Sequence, residues 1–434
     1  MFLFILGRQP EIGTAELAAV FGRENIREIS RNIAAVSEEK ILATAVSGAK
    51  DLSDREKQNL VFDRLGSVVK IARVFAKIAD NKDLKLTTFA DEISRKFSEN
   101  GGKITLGFSS ETRDLSPRNL DEISLQVRKN LAAQDITFRE IFREKGENKL
   151  NSASVFHNKL TGESLRKAEV IFADFNHEFL LAETVFVQNI TSYTFRDRSR
   201  PKRDAKVGML PPKLAQTIIN LAVGQDDMRG KILLDAFVGT GVILQEAALM
   251  GMRVYGSDIE PRMIDYTREN LDWVSRKFGR EFALSGAERD FQRLLEVGSA
   301  TEMKWSFSDE TSTDSATKKD KVFPDFVAGE TYLGRAYATE PSTENLRENI
   351  GNVNKILTEF LKNLRGQATA KTGICLAVPA WFIAKNGREK IVHLPLLKEL
   401  ENMGFSRSFE GLVYHREGQI VGRELLVLRK GKNK

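Results

Sequence analysis

The chain is 434 residues long, with 41% hydrophobic and 29% charged residues and a formal net charge of +6 at pH 7. That length exceeds what one core ordinarily organises and allows two or three domains, and the composition excludes a disordered chain. The single cysteine, Cys375, excludes an internal disulfide and a multi-thiolate zinc site, and four histidines without paired spacing give no metal cluster, so no metal is expected.

In chain order, Phe2–Leu6 reads as a buried strand. It is far shorter than the roughly 20 residues of a membrane helix and lacks a basic leader or cleavage site. We therefore expect no membrane partner and a reducing cytoplasm. A helix follows near Thr14, with Glu16 in its first turn, and Ile33–Val36 is a second apolar run, which together make a small α+β unit over 1–59. From 60 to 190, strand and helix patterns alternate through Ser67–Ala76, Ile104–Phe108, the helix Asp121–Ala133, Val170–Ala173 and Thr184–Val187. This predicts a second unit packed on the first.

Between Thr191 and Met209 the chain turns polar and carries Pro201, with Pro211 and Pro212 beyond, a linker composition that we bound at 191–213. From 214 to 434, strands at Lys231–Asp235, Arg253–Asp258, Pro324–Glu330 and Gly373–Pro379 alternate with helices, which predicts an open parallel sheet. Ser308–Lys321 is a polar insertion expected to be mobile, with no chemistry assigned, and no internal repeat is found.

The positive charge is concentrated. Arg196–Lys206 holds six basic and two acidic residues, and Arg429–Lys434 holds four basic residues and no acid. In the linker Arg198, Arg200, Lys202, Arg203 and Lys206 are candidates to neutralise phosphates, giving salt-dependent, sequence-independent affinity for an anionic partner. A plain solvated linker is the alternative.

The sharpest local pattern is the apolar strand ending at Asp235 and entering a turn with Phe237, Gly239, Thr240 and Gly241. The helix Val242–Met250 follows, with Ile243, Leu244, Ala247 and Ala248 on one face. The two glycines let backbone approach a ligand at the carboxyl end of a strand. The turn lacks both the third glycine of a dinucleotide fingerprint and the Lys-Ser/Thr of a phosphate loop, which favours a ligand without a pyrophosphate. Asp258, 23 positions after Asp235, ends the next strand and can accept hydrogen bonds from both ribose hydroxyls. Asp235 would face a cationic amino-acid end. Asp290 falls where a third strand should end and is a candidate acceptor for an adenine amino group, with a surface acid as the other reading.

Asp235–Gly241, Gly256–Ile259, Leu150–Val155, the opening Phe2–Gly7 and above all Arg200–Ala215 resemble the THUMP-containing RNA methyltransferases, in particular the eukaryotic and archaeal enzymes that methylate a tRNA guanosine at N2. The resemblance covers nearly the whole chain. It implies an α/β fold: a C-terminal Rossmann-like S-adenosylmethionine methyltransferase sheet, preceded by an α+β ferredoxin-like and THUMP region that grips the tRNA acceptor end. It also implies that Met209–Lys213, with Pro211, borders the cofactor pocket, and that Ile259 belongs to it.

Enzymes of this group end their fourth strand in Asp/Asn-Pro-Pro-Tyr/Phe, where an oxygen acceptor and a stacking ring position the base. Here the strand ends in Glu330-Thr331-Tyr332-Leu333-Gly334, which keeps a carboxylate and an aromatic ring but neither proline. Glu330 and Tyr332 are the candidate catalytic residues. The expected function is S-adenosylmethionine-dependent methylation of a base amine in tRNA or other structured RNA. The alternative is an RNA-binding protein with an inactive methyltransferase domain. The sequence leaves open whether a small activator subunit takes part.

Overall fold

The computed structural model describes residues 1–44, 52–81, 84–99, 101–162, 164–204, 209–278, 291–308, 321–337, 339–385 and 388–431. The predicted insertion at Ser308–Lys321 lies almost wholly outside the described residues, as do Lys206, Asp290 and the last three residues of the basic tail.

The N-terminal part is α+β and opens β1 (Phe2–Leu6), α1 (Pro10–Phe21), β2 (Arg27–Ser30), β3 (Ile33–Val36), α2 (Glu38–Thr44), α3 (Asp54–Asp63) and β4 (Val68–Ala79). Helix α1 starts at Pro10, earlier than the pattern suggested, because proline suits the first helical turn, where its missing N–H leaves no bond unmade. Glu16 consequently sits in mid-helix. The four strands order as β2-β3-β1-β4 with every neighbour antiparallel, the ferredoxin-like arrangement.

This arrangement corrects the boundary expected at 59/60, which falls inside α3 and would sever β4 from its partners. Beyond it come α4 (Leu86–Ser98), β5 (Ile104–Ser110), α5 (Pro117–Ala132), β6 (Phe138–Ile141), α6 (Ser152–Asn158), β7 (Lys167–Phe175) and β8 (Glu178–Val187). They do not form a unit packed on the first. Strand β4 also pairs with β8, giving one continuous eight-stranded sheet, β2-β3-β1-β4-β8-β7-β5-β6. At 12 residues, β4 is long enough to serve both halves.

The expected linker is ordered in part as α7 (Ile190–Arg198), whose Asn189 caps the Ser192 amide. The helix is docked by its aromatic and basic side chains. Phe195 stacks on Trp273, and the buried Arg196 donates from Nε to Glu246 Oε1 at 2.8 Å. That basic residue therefore serves an internal ion pair rather than solvent.

The C-terminal part contains α8 (Pro212–Val223), β9 (Ile232–Asp235), α9 (Val242–Leu249), β10 (Arg253–Asp258), α10 (Pro261–Lys277), β11 (Arg293–Val297), β12 (Phe307–Ser308), β13 (Lys321–Val322), β14 (Phe326–Glu330), α11 (Thr343–Gln367), β15 (Gly373–Lys385), β16 (Arg388–Val392), β17 (Phe405–Arg407), β18 (Val413–Tyr414) and β19 (Val421–Lys430). Its main sheet runs β11-β10-β9-β14-β15-β19-β17, parallel through β15 and antiparallel at β19 and β17. This is a Rossmann-like sheet, as expected. Separate apolar cores cover its faces, one with α8, α9 and α10 and the other with α11. Among the described residues no helix is long and apolar enough to cross a membrane.

The two parts are joined through a shared core, since Ile12 and Ala15 of α1 pack with Ala215, Ile218 and Ile219 of α8. Buried Glu16 accepts hydrogen bonds from the Gly66 amide at 3.0 Å, the Ser67 amide at 2.9 Å, the Ser67 hydroxyl and Asn220 Nδ2 at 2.7 Å. A buried carboxylate with four donors is satisfied in place of water, which fixes how the N-terminal sheet sits on the C-terminal one.

Candidate functional site

Open α/β sheets bind ligands beyond the carboxyl ends of their strands, at the point where strand order reverses. In the C-terminal sheet that point lies between β9 and β14. Strand β9 ends in Asp235, which is 2% exposed and accepts a hydrogen bond from the Phe237 amide at 3.1 Å. Burial pushes its carboxyl well above the usual carboxylate range, and the nearby Asp258 and Glu330 add to this. Room for that carboxylate comes from Gly329 of β14: a Cβ there would stand 2.5 Å from Asp235 Oδ1.

The turn after Asp235 is locked from two sides. Gly239 and Gly241 have φ of +52° and +78°, in the left-handed region that glycine enters without strain. A Cβ on Gly241 would also meet the Thr267 side chain at 2.7 Å. Thr267 Oγ1 donates to the Gly239 carbonyl at 2.8 Å, and Asn270 Nδ2 donates to the Thr240 carbonyl at 2.9 Å and to the Lys202 carbonyl at 3.0 Å. Asn270, buried on α10, thus ties the chain before α8 to the glycine turn. Phe237 packs edge-on against Phe360 at 4.9 Å.

At the end of β10, Asp258 accepts from the Gly239 amide on Oδ2 at 2.9 Å and from the Glu260 amide on Oδ1 at 3.0 Å. These bonds fix the carboxylate plane and leave lone pairs free for further donors. The next residue, Ile259, is 67% exposed, an apolar surface beside the turn. Pro211 caps the N-terminus of α8. Because Ala222 near the other end of α8 lies against Gly373 at the start of β15, Pro211 is directed to the carboxyl edge of the sheet.

Strand β14 delivers Glu330 to the same edge. Its Oε1 accepts from Arg423 Nε at 2.6 Å. Burial raises the Glu330 carboxyl, and Arg423 pulls it back down. Thr331 donates from its amide and hydroxyl to the Ala377 carbonyl at 3.0 and 3.1 Å, anchoring the strand exit, and Tyr332 beyond it is 43% exposed. The structure therefore gathers Asp235, Phe237, Gly239, Thr240, Gly241, Asp258 and Glu330 at one edge.

Other expected residues are placed differently. The third parallel strand, β11, begins at Arg293 and ends at Val297. Asp290 precedes that strand in sequence, so Val297 and Gly298 hold the carboxyl-end position expected for it. Arg200 is not available to phosphate: its side chain is 1% exposed, donates to the Asp197 carbonyl at 3.3 Å and meets Met209 Sδ at 3.8 Å. Its neighbours Arg198 and Arg203 are exposed, and Lys202 is paired with Glu269 at 3.2 Å. Arg423 and Asn270 escaped the sequence reading. The pair Arg423 and Glu424 inside an otherwise apolar strand was the available signal for the first; Asn270 had none.

An RMKL-like methyltransferase domain family, UPF0020, matches residues 200–288. A tRNA (guanine(10)-N2)-dimethyltransferase of Methanothermobacter thermautotrophicus is 52% identical over 64 residues, 15% of this chain and 18% of that protein. A protein of the same name from Pyrococcus abyssi is 34% identical over 108 residues, 25% of this chain and 27% of that protein. The matched segments thus span well under two thirds of these relatives' lengths. Among solved structures, TrmN from Thermus thermophilus aligns with a TM-score of 0.48 and 14% identity over 99% of both chains.

The residues gathered at this edge fit S-adenosylmethionine. Among the described residues, the buried Asp235 carboxylate has only a backbone amide as hydrogen-bond donor, so a cationic ammonium would supply the charge partner it lacks. Asp258 would take the ribose hydroxyls and Ile259 the adenine face.

Proposed function

We propose that the chain is an S-adenosylmethionine-dependent RNA methyltransferase acting on an exocyclic base amine, guanine N2 in tRNA being the reading best supported. The observation that carries it is the convergence of Asp235 and Glu330 at adjacent strand ends, with the exposed Tyr332 two residues on. The matches to proteins named for guanine-N2 methylation of tRNA support the substrate.

The cofactor supplies a methyl group on a sulfonium, already activated for direct transfer. The protein's task is to bring an amine nitrogen, whose lone pair is delocalised into the base, into line with it. Glu330 accepts an amine hydrogen and orients the nitrogen, while Tyr332 stacks on the base, a contact worth about 1–3 kcal/mol of binding. The exposed Arg198 and Arg203 offer charge to the RNA backbone.

The decisive experiment follows isotopically labelled S-adenosylmethionine into an unmodified tRNA pool, with nucleoside mass spectrometry of the product. Labelled N2-methylguanosine is expected. Label in another nucleoside keeps the reaction class and changes the target; RNA binding without transfer points to a binding protein with an inactive domain.

Cofactor binding has its own signature. Asp258→Ala removes a charged acceptor and is expected to weaken S-adenosylmethionine binding by about 1.5–3 kcal/mol in calorimetry; unchanged affinity rejects the ribose role. Burial raises the Asp235 carboxyl, so below its raised pKa pairing with an ammonium releases a proton. Affinity should therefore rise with pH up to its raised pKa.

A further inference from the structure

We propose that Arg423 is a positioning residue for Glu330, replacing by an ion pair the rigidity that the missing prolines would give the strand exit. The proposal rests on the reading of Glu330 as the amine acceptor. The two side chains meet Nε to Oε1 at 2.6 Å and are 10% and 15% exposed. A glutamate carries one more rotatable bond than an aspartate, so an unrestrained carboxylate would sweep several positions beside the base. The planar guanidinium restricts it to one.

Arg423 is free for this task because of how β19 is built. Its register places Arg423 opposite Pro379 on one side and Tyr414 on the other. The adjacent Glu424 points to the opposite face, where Arg407 Nη2 at 2.7 Å and His393 Nδ1 at 2.6 Å engage it. Among the described residues, Glu330 is the only acid with which Arg423 forms an ion pair. Its Oε1 is taken and Oε2 accepts no hydrogen bond from them, which leaves one oxygen for the substrate amine.

Two charged groups act at Glu330, one on β9 and one on β19. On β9, Asp235 lies close enough for the Glu330 charge to raise its carboxyl further, and on β19 Arg423 pulls the Glu330 carboxyl down against burial. On β15 the register sets Ala377 opposite Glu330, and Cys375, two residues back, is a buried thiol that burial pushes up. On α8, Lys213 turns its Nζ to Gln188 instead. Removing the guanidinium therefore leaves burial to drive Glu330 towards its protonated form.

The test compares wild-type protein with Arg423→Gln and Arg423→Lys. In Arg423→Gln, kcat for RNA methylation at neutral pH should fall by about 10²-fold, the effect of roughly 1 Å of misplacement. KM for RNA and affinity for S-adenosylmethionine should stay near wild type. The acidic limb of the pH profile should move to higher pH, and Arg423→Lys should return it towards the wild-type position. A loss equal at every pH, or a parallel loss of cofactor affinity, would overturn the proposal in favour of a purely structural role.

A second readout is independent of turnover. With ¹³C-labelled glutamate carboxyls and the Glu330 resonance assigned by its absence in Glu330→Gln, the titration should move to higher pH in Arg423→Gln. An unmoved titration overturns the pairing. Wild-type protein that transfers no methyl group to RNA while this shift is observed would overturn the proposed function and leave the pair standing.

Discussion

Lys70→Met is expected to lower the stability of the N-terminal sheet by about 3–5 kcal/mol, the usual consequence of stranding one member of a buried ion pair. Lys70 on β4 donates from Nζ to Glu169 Oε1 at 2.6 Å and to the Leu150 carbonyl at 2.8 Å, and both side chains are almost wholly buried. Ser109 on β5 and Thr184 on β8 donate to the same carboxylate at 2.6 and 2.7 Å, while the Leu150 amide donates to Ser109 Oγ at 2.9 Å. One carboxylate on β7 thereby links four strands and the segment leading into α6. Without the ammonium, the hydroxyl donors remain but the charge is uncompensated. Denaturant unfolding of the full chain, followed by its first transition, measures the effect. Lys70→Met combined with Glu169→Leu should recover much of the loss, since apolar replacement of a whole buried pair is often near neutral. A single variant as stable as wild type would show that the charge pairing contributes little.

Glu330→Ala is expected to lower kcat for methyl transfer by about 10²–10³-fold, the range for losing one preorganised polar group that acts on the reacting centre. Cofactor affinity should be retained, because Asp235 and Asp258 are untouched. Glu330→Gln should fall between wild type and Ala: its amide oxygen remains an acceptor but loses the charge and the ion pair with Arg423. Since Ala also leaves Arg423 without its partner, thermal unfolding of both variants separates a folding defect from a kinetic one. Steady-state rates on tRNA decide the matter, and a wild-type kcat in Glu330→Ala would remove Glu330 from the proposed chemistry.

Local signals determined much of this protein. The run from Ile232 to Leu249 was legible as strand, glycine turn and helix because each piece declares itself over a few neighbouring residues: three buried apolar positions before an aspartate, two glycines with positive φ, and a helix with an apolar face. Asp235 and Asp258 were legible for the same reason, each closing an apolar strand. The open parallel sheet followed from the alternation of such units, and the Rossmann-like class from the family resemblance.

What only the tertiary structure decided involves residues far apart in the chain or facing inward. The pairing of β4 with both β1 and β8 merged two apparent units into one sheet, because a strand's hydrogen bonds on its two edges are not encoded in its own hydropathy. Arg196 and Arg200 counted as linker charge, yet both are buried, one against Glu246 and the other beside Met209. Glu330 stood out at the end of its strand, but its partner lies 93 residues later. Composition and spacing identify which groups can carry chemistry; which of them meet, and which are withdrawn from solvent, depends on the packing of one sheet against another.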